Sequence, residues 1–178
     1  LDKIAACDVF VLLDDVQYKK REFQNRNKIR TKDGFIWLTV PVITKGKYFQ
    51  KISEVEIDAS SAWRSDHWKA IALNYSSAPF FREYAGKFES IYKKEWRWLK
   101  DLNVETITVI MELLGIKKKV SFSSEMGITS AKTQRIVDIC EKLGADSYLS
   151  GAGGRDYMDE ELFEKNSIKL VYQEFKHP

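Results

Sequence analysis

Two stretches of this 178-residue chain carry side chains whose types and spacing suit chemistry. The first is Ser150-Gly151-Ala152-Gly153-Gly154-Arg155-Asp156-Tyr157. A short strand that runs into a glycine turn and then a helix leaves backbone N–H groups available at the loop and the helix start. With the helix dipole behind them, such groups can hold an anion. Arg155 beside them can add a forked, charge-assisted grip on a carboxylate or phosphate. The same glycines also suit a plain strand-to-helix turn that needs positive φ, and both readings stand at this point.

The second stretch starts at Asp14-Asp15-Val16-Gln17 and continues through Lys20, Arg21, Asn25, Arg26 and Asn27. Carboxylates at a strand end can orient an acceptor or take its proton. The triplet Asn25-Arg26-Asn27 offers forked donors and amide acceptors, the equipment for gripping a small polar ligand. The whole cationic run from Tyr18 to Arg30 also fits a solvated loop or edge hairpin. As a site, the expectation assigns Asp14 and Asp15 to catalysis. Substrate binding falls to Gln17, Lys20, Arg21, Asn25, Arg26, Asn27, Ser150, Gly151, Gly153, Gly154, Arg155, Tyr157 and His177. The expectation is also spatial: Asp14, Asp15, Asn25 and Arg26 should line the same cleft as Gly153, Gly154 and Arg155.

These residues need a scaffold, and its elements are readable in order. Val9 to Leu13 is apolar on both faces, as a central parallel strand covered by helices would be. Asp33-Gly34 signals a hairpin, and Phe35 to Val42 follows as a strand with Pro41 near its end. Lys51 to Asp58 alternates through Ile52, Val55 and Ile57 and reads as a third strand. Ser60 or Ser61 is placed to cap a helix through Trp63, Trp68, Ile71 and Leu73. Further helices follow from Pro79 to Tyr92 and from about Trp98 to Leu114, stopped by Gly115. Trp63, Trp68, Tyr92 and their neighbours read as packing between these helices, and Trp37 reads as core. After a Lys117-Lys118-Lys119 turn, the order from Val120 is strand, helix, strand, helix, strand, with the first helix opened by Ser130 and ended by Gly144. That alternation implies parallel pairing. The expected class is α/β: a mostly parallel, Rossmann-like sheet flanked by helices, with a hairpin near the N-terminus and a helical section over 60–115. A single domain covering 1–178 is expected, cut at both ends.

Composition narrows the function. The net charge is +3, too mild to argue for nucleic acid, and Glu22 interrupts the one basic run. Cys7 and Cys140 lie in apolar surroundings and read as free thiols of a reducing, cytoplasmic setting. His67 and His177 are far apart, so no metal-ligand spacing exists, and neither metal nor cofactor is expected. No apolar run approaches the roughly 20 residues needed to span a bilayer. Leu149-Ser150-Gly151 lacks the flanking glycines of a nucleophile elbow, Cys140 sits on an apolar helix stripe, and His67 reads as a packed or surface residue rather than a catalyst.

Several motifs then agree with one family. Asp8-Val-Phe-Val, Asp14-Asp-Val-Gln-Tyr, Asn25-Arg-Asn-Lys-Ile, Trp37-Leu-Thr-Val-Pro-Val, Tyr148-Leu-Ser-Gly, Gly153-Gly-Arg-Asp-Tyr-Met and Phe175-Lys-His-Pro occur in the same order as in WbqC-like bacterial proteins. The resemblance covers essentially the whole chain and implies further sequence on both sides of it. It also implies a setting in surface-polysaccharide (O-antigen) or related biosynthesis, and a role in moving a glycyl or other aminoacyl group onto a sugar. The expected partner is thus a small molecule with an anionic group, such as a sugar nucleotide or a carrier-bound aminoacyl group. A non-catalytic module for a sugar nucleotide or a carrier protein, and a nucleotidyl transferase, are the alternatives.

Overall fold

The computed structural model describes residues 1–175. The elements in chain order are α1 (Asp2–Ala6), β1 (Val9–Leu12), β2 (Arg26–Thr31), β3 (Gly34–Thr39), α2 (Trp63–Tyr75), α3 (Phe81–Lys93), α4 (Leu99–Leu113), β4 (Lys119–Phe122), α5 (Lys132–Leu143), β5 (Ser147–Ser150), α6 (Glu160–Lys165) and β6 (Lys169–Tyr172). They form a mixed α/β protein in two compact units. The first comprises Leu1–Asp14 and the chain from Gly115 onward; the second is the intervening Asp15–Leu114.

In the first unit β1 pairs with β4, and β5 with β6, both in parallel. A parallel pair needs a long connection. Between β5 and β6 it is α6. Between β1 and β4 it is the whole of the second unit. α5 packs Ile136, Val137 and Cys140 against Phe163 of α6 and against Ile168. Phe163 is fully buried and stacks on Tyr148 of β5, the rings 9° from coplanar and 5.6 Å apart. α5 ends at Gly144, whose φ of 64° is left-handed, while Ala145 N–H reaches back to the Cys140 carbonyl at 2.8 Å. Only glycine takes that conformation at little cost, which is why the helix stops there.

The second unit has an antiparallel hairpin, β2–β3, turning through Lys32-Asp33, one residue before the expected Asp33-Gly34, in register Thr31↔Gly34 to Arg26↔Thr39. Three helices accompany it. Its core gathers Tyr18, Val55, Ile57, Trp63, Ile91, Leu99 and Leu102. Trp63, His67, Trp68, Phe81 and Tyr92 meet ring to ring between α2 and α3, as their helical spacing implied.

Three local expectations fail for identifiable reasons. Lys51 to Asp58 makes no strand. Lys51 N–H bonds the Glu54 carboxylate, which closes a 3-10 turn over Ile52–Glu54. The rest of the segment spends its backbone bonds on several different neighbours, including Val16, Arg97 and Leu99, so no ladder builds. The alternation of Val55 and Ile57 marked burial, which both residues have. Ser60 does not cap α2; its N–H bonds Asp58, and the helix starts from Ala62 without a side-chain cap. Ser130 likewise bonds Asp138 rather than capping α5.

Phe163 has no room to relax among α5, α6 and β5. Phe163→Ala should cost about 3–5 kcal/mol, measured as a loss in denaturant midpoint at unchanged m-value.

Candidate functional site

The boundary between the two units falls between Asp14 and Asp15, so the residues expected to share a cleft divide between them. The first unit holds Asp14, Ser150, Gly151, Gly153, Gly154, Arg155 and Tyr157. The second holds Asp15, Gln17, Lys20, Arg21, Asn25, Arg26 and Asn27. His177 lies outside the described residues.

Asp14 follows β1 and is buried, with 3% of its surface exposed. Its carboxylate accepts from Ser124 N–H at 3.0 Å and from Ser124 Oγ at 2.8 Å. The Ser123 hydroxyl lies 3.5 Å away. Both serines follow β4, the parallel partner of β1, and Leu12 stands opposite Phe122 in register. The carboxylate therefore joins the carboxyl ends of two adjacent strands. Bonds of this charge-assisted kind are about twice as strong as neutral ones, and a buried carboxylate needs them. The short strand Val120–Ser124 was legible, but nothing in the sequence assigned its terminal serines to Asp14. Asp15 is half-buried.

The glycine loop follows β5. Ser150 is fully buried, and its carbonyl accepts from Gln173 N–H past the end of β6. Ala152 to Asp156 then makes a 3-10 turn, and α6 starts only at Glu160. Asp159 caps α6 through Leu162 N–H at 3.3 Å, with Glu160 and Glu161 in the first turn. The loop consumes several of its own amides: Gly154 N–H bonds Gly151, while Tyr157 and Met158 N–H both bond Gly154. These three are therefore not available to an anion as the loop stands. Nor do the glycines serve a positive φ; Gly151 sits at −67° and neither Gly153 nor Gly154 is left-handed. Gly154 is needed for a close approach. A Cβ there would fall 2.0 Å from Ser150 Oγ and 3.5 Å from the Tyr172 ring, whereas Gly153 faces open space.

Arg155 lies with its guanidinium carbon 4.3 Å above the Tyr172 ring, and the Tyr172 hydroxyl donates to Glu160 at 2.8 Å. That bond to a carboxylate is the main reason the Tyr172 pKa is raised. Lys3 brings a second cation to the loop, its Nζ 3.8 Å from where a Gly151 Cβ would be. Tyr157 is exposed. Lys3, Tyr172 and Glu160 come from three separate elements, and no sequence spacing pointed to their meeting here.

In the second unit the Asn-Arg-Asn triplet opens β2. Asn25 is buried and pins the hairpin base: its Nδ2 donates to the Val40 carbonyl at 2.8 Å, and Val40 N–H donates to the Asn25 carbonyl. Arg26 lies over Trp37 at 4.3 Å and donates to the Arg21 carbonyl, at a turn where Arg21 takes φ 66°. Asn27 turns back on Lys28 N–H. Gln17 donates to the Tyr48 carbonyl, and Lys20 and Arg21 are exposed. Trp37 is not core: it is 37% exposed, flanked by Phe23 and Phe35, with Lys28 Nζ 4.9 Å from its centroid. Residues two apart share one face of a strand, so Arg26 and Lys28 alternate onto the side that carries Phe35 and Trp37. On the other side, a cavity of about 320 Å³ is bordered by Asn25, His67, Tyr92 and Asn103. His67 is packed rather than on the surface, and burial pushes its pKa down.

Fold and strand-end chemistry together define a class: a mixed α/β protein built on short parallel strand pairs. Within it, this chain belongs to the WbqC-like protein family, whose model matches residues 1–178. It is 38% identical over 175 residues to the uncharacterized protein Rv1507c of Mycobacterium tuberculosis, a match covering 98% of this chain and 75% of that relative. No solved structure matches the chain.

Gly154→Ala should destabilise the first unit by about 1–3 kcal/mol, the cost of overpacking, and Gly153→Ala should be near neutral. Removing the clashing hydroxyl with Ser150→Ala should restore part of the loss, read as a positive coupling in a double-mutant cycle of melting free energies. A second expectation concerns pH. His67 is held neutral in the fold, so below its ordinary value of 6.5 the unfolded chain binds the proton first. Stability is therefore complete above that value and falls as pH drops toward the depressed folded pKa. His67→Phe should flatten the part of the stability-against-pH curve lying between that depressed value and 6.5, measured by urea unfolding.

Proposed function

We propose that this protein transfers an aminoacyl, glycyl-type, or other acyl group to the amine or hydroxyl of an amino sugar or related small molecule. The observation that supports it best is the pairing of opposite chemistries at strand ends in one unit. Carboxylate sits at the end of β1, and the cations Arg155 and Lys3 flank the glycine loop at the end of β5. In α/β proteins with Rossmann-like parallel sheets, ligands bind beyond the carboxyl ends of the strands, and β1, β4, β5 and β6 are taken as parts of such a sheet. Asp14, fixed by Ser124, anchors the strand end. Asp15, next in the chain and less buried, takes the acceptor's proton as the acceptor nitrogen or oxygen bonds the acyl carbon. The bond from that carbon to the donor's ester or thioester oxygen or sulfur breaks, and the leaving group departs with the electron pair. Arg155 holds the donor's anionic group, helped by the exposed Tyr157 hydroxyl, on the loop that Ser150, Gly151, Gly153 and Gly154 shape. Gln17, Lys20, Arg21, Asn25, Arg26 and Asn27 serve substrate binding. A reducing cytoplasm suits the free thiols Cys7 and Cys140, and surface-polysaccharide or secondary-metabolite biosynthesis is the setting that the family suggests.

One observation favours a second reading. The exposed hairpin face combines Arg26 and Lys28 with Phe23, Phe35 and Trp37. Rings and fixed positive charge can hold a sugar nucleotide with no proton-transfer group at all. That arrangement would suit a binding module.

The deciding experiment incubates the protein with labelled aminoacyl esters and thioesters and amino-sugar nucleotides, and follows acceptor mass. A gain equal to one aminoacyl residue is expected, reduced on the order of 100-fold by Asp15→Asn, as for loss of a general base, and weakened chiefly in KM by Arg155→Ala. Binding of the sugar nucleotide without any mass gain selects the module, and turnover indifferent to both substitutions refutes the residue roles.

A further inference from the structure

The cavity of about 320 Å³ lies wholly within the second unit, between the inner face of the β2–β3 hairpin and the helices α2, α3 and α4. Ile29 and Leu38 belong to that inner face by alternation, where a closed core would bury them. Both are only half-buried, and both border the cavity. The helices opposite explain the gap. Trp63, His67 and Ile71 recur at helical spacing on one side of α2, with the imidazole in the middle. α4 adds Asn103 and Thr106. Polar side chains thus stand where apolar ones would have filled the space. We propose that this cavity binds an uncharged, hydroxyl-bearing ring, a single neutral sugar or cyclitol, whose hydroxyls donate to Asn25 Oδ1, Asn103 Oδ1 and His67.

Three observations select that ligand. The first is the balance of donors and acceptors. Asn25 is 8% exposed, and its Nδ2 is spent on the Val40 carbonyl. Asn103 spends its Nδ2 on the Gln24 carbonyl at 2.9 Å, and the Thr106 hydroxyl donates to the Leu102 carbonyl at 2.8 Å. Among the described residues neither amide oxygen has a hydrogen-bond partner, and covered polar atoms ordinarily have one. The Thr39 carbonyl accepts from one nitrogen of the His67 ring, so the neutral imidazole offers its other nitrogen as an acceptor. The donors of Asn25, Asn103 and Thr106 are therefore committed to the fold, while three acceptors remain. A hydroxyl answers an acceptor by donating. A purine or pyrimidine brings fixed ring acceptors that need matching donors, which these side chains do not supply.

The second is charge. Among the described residues no Asp or Glu borders the cavity, so a protonated amine would lose its water there without a counter-charge. The bordering cations are turned to rings on the outer side of the hairpin: Arg26 lies over Trp37, and Lys28 Nζ is 3.9 Å from the Phe35 centroid. An anion gains nothing from them inside. A charged substituent of the ring therefore stays outside the cavity.

The third is size and surface. Small-molecule pockets begin near about 300 Å³ and combine apolar walls with a few polar groups that fix orientation. This one has room for one ring with its substituents. Leu38, Val40, Ile71 and the Tyr92 ring give the C–H face of such a ring an apolar wall.

The assignment goes beyond the transferase reading and stands without it. A ring held here serves as acceptor for a transferase and as ligand for a binding module alike.

Binding is read on the protein alone, with no acyl donor present, so failed transfer and failed binding are separate results. Glucose, galactose, N-acetylglucosamine and myo-inositol are titrated against isotope-labelled protein by NMR, with glucosamine and adenosine for comparison. At least one neutral ring should give saturable shifts at Asn25, His67 and Asn103, with a dissociation constant on the order of 1 mM, as suits so small a ligand. Its C–H protons should show NOEs to the Leu38 and Ile71 methyls. Glucosamine and adenosine should bind about 10-fold more weakly, the cost of one unmatched polar group. His67→Phe keeps a ring but deletes the acceptor, and should weaken binding about 10-fold. Leu38→Trp fills the space and should abolish binding. Where either variant fails to fold, the NOEs in the unaltered protein decide. The proposal is overturned by any of four results: no saturable shift with any neutral ring, equal binding of glucosamine or adenosine, NOEs to Phe35 and Trp37 of the outer face instead, or full affinity in a folded variant.

Discussion

The bond between Asp14 and Ser124 is the contact on which the first unit turns. It joins residues 110 positions apart, and it does so with a buried carboxylate that is costly to leave unsatisfied. The chain leaves the first unit after Asp14 and re-enters it at Gly115, before β4. Closing so long a loop costs conformational entropy, and a four-residue parallel ladder offsets little of it. The carboxylate clamp adds strong, directional bonds at the point where the two strand ends meet. It also sets which groups stand at that rim, because the strand after which Asp14 falls and the strand after which Ser124 falls are in fixed register.

The glycine loop shows a different economy. Its residues pack onto themselves through Gly151, Gly154, Tyr157 and Met158, and onto Ser150 at a separation only a glycine tolerates. The loop is thereby a compact projection from β5. The charges near it arrive from α1, α6 and β6. Arg155 is held flat on Tyr172, whose hydroxyl is itself held by Glu160. An arginine arranged this way keeps its N–H edge directed while its face is covered, which suits forked recognition of an anion.

The second unit uses its polar triplet mainly to build its own hairpin. Asn25 ties the base to Val40, and Arg26 covers Trp37 while steadying the turn at Arg21. The result is a sheet with one face on the helices and one face of cations over rings. Both faces follow from period-two alternation along β2 and β3, and even the inner one is only half-buried, with Ile29 and Leu38 partly covered.

Periodicity, turn chemistry and local motifs determined much of this from the chain alone. The hairpin, to within one residue of its turn, the helices between Trp63 and Leu113, the stop at Gly144, the parallel alternation after Val120 and membership of the WbqC-like family were all legible. Each depends on residues close in sequence, or on motif order. Tertiary structure decided the rest, for one reason: the outcome depended on partners that no spacing reveals. Val55 and Ile57 alternate as a strand would, yet their backbone bonds go to scattered neighbours and no ladder forms. Trp37 looked like core by composition, but the hairpin register turned it outward under Arg26 and Lys28. Gly154 looked like a freedom of φ, and proved to be a matter of distance from Ser150. Asp14 found Ser124 only because two strands more than a hundred residues apart lie side by side.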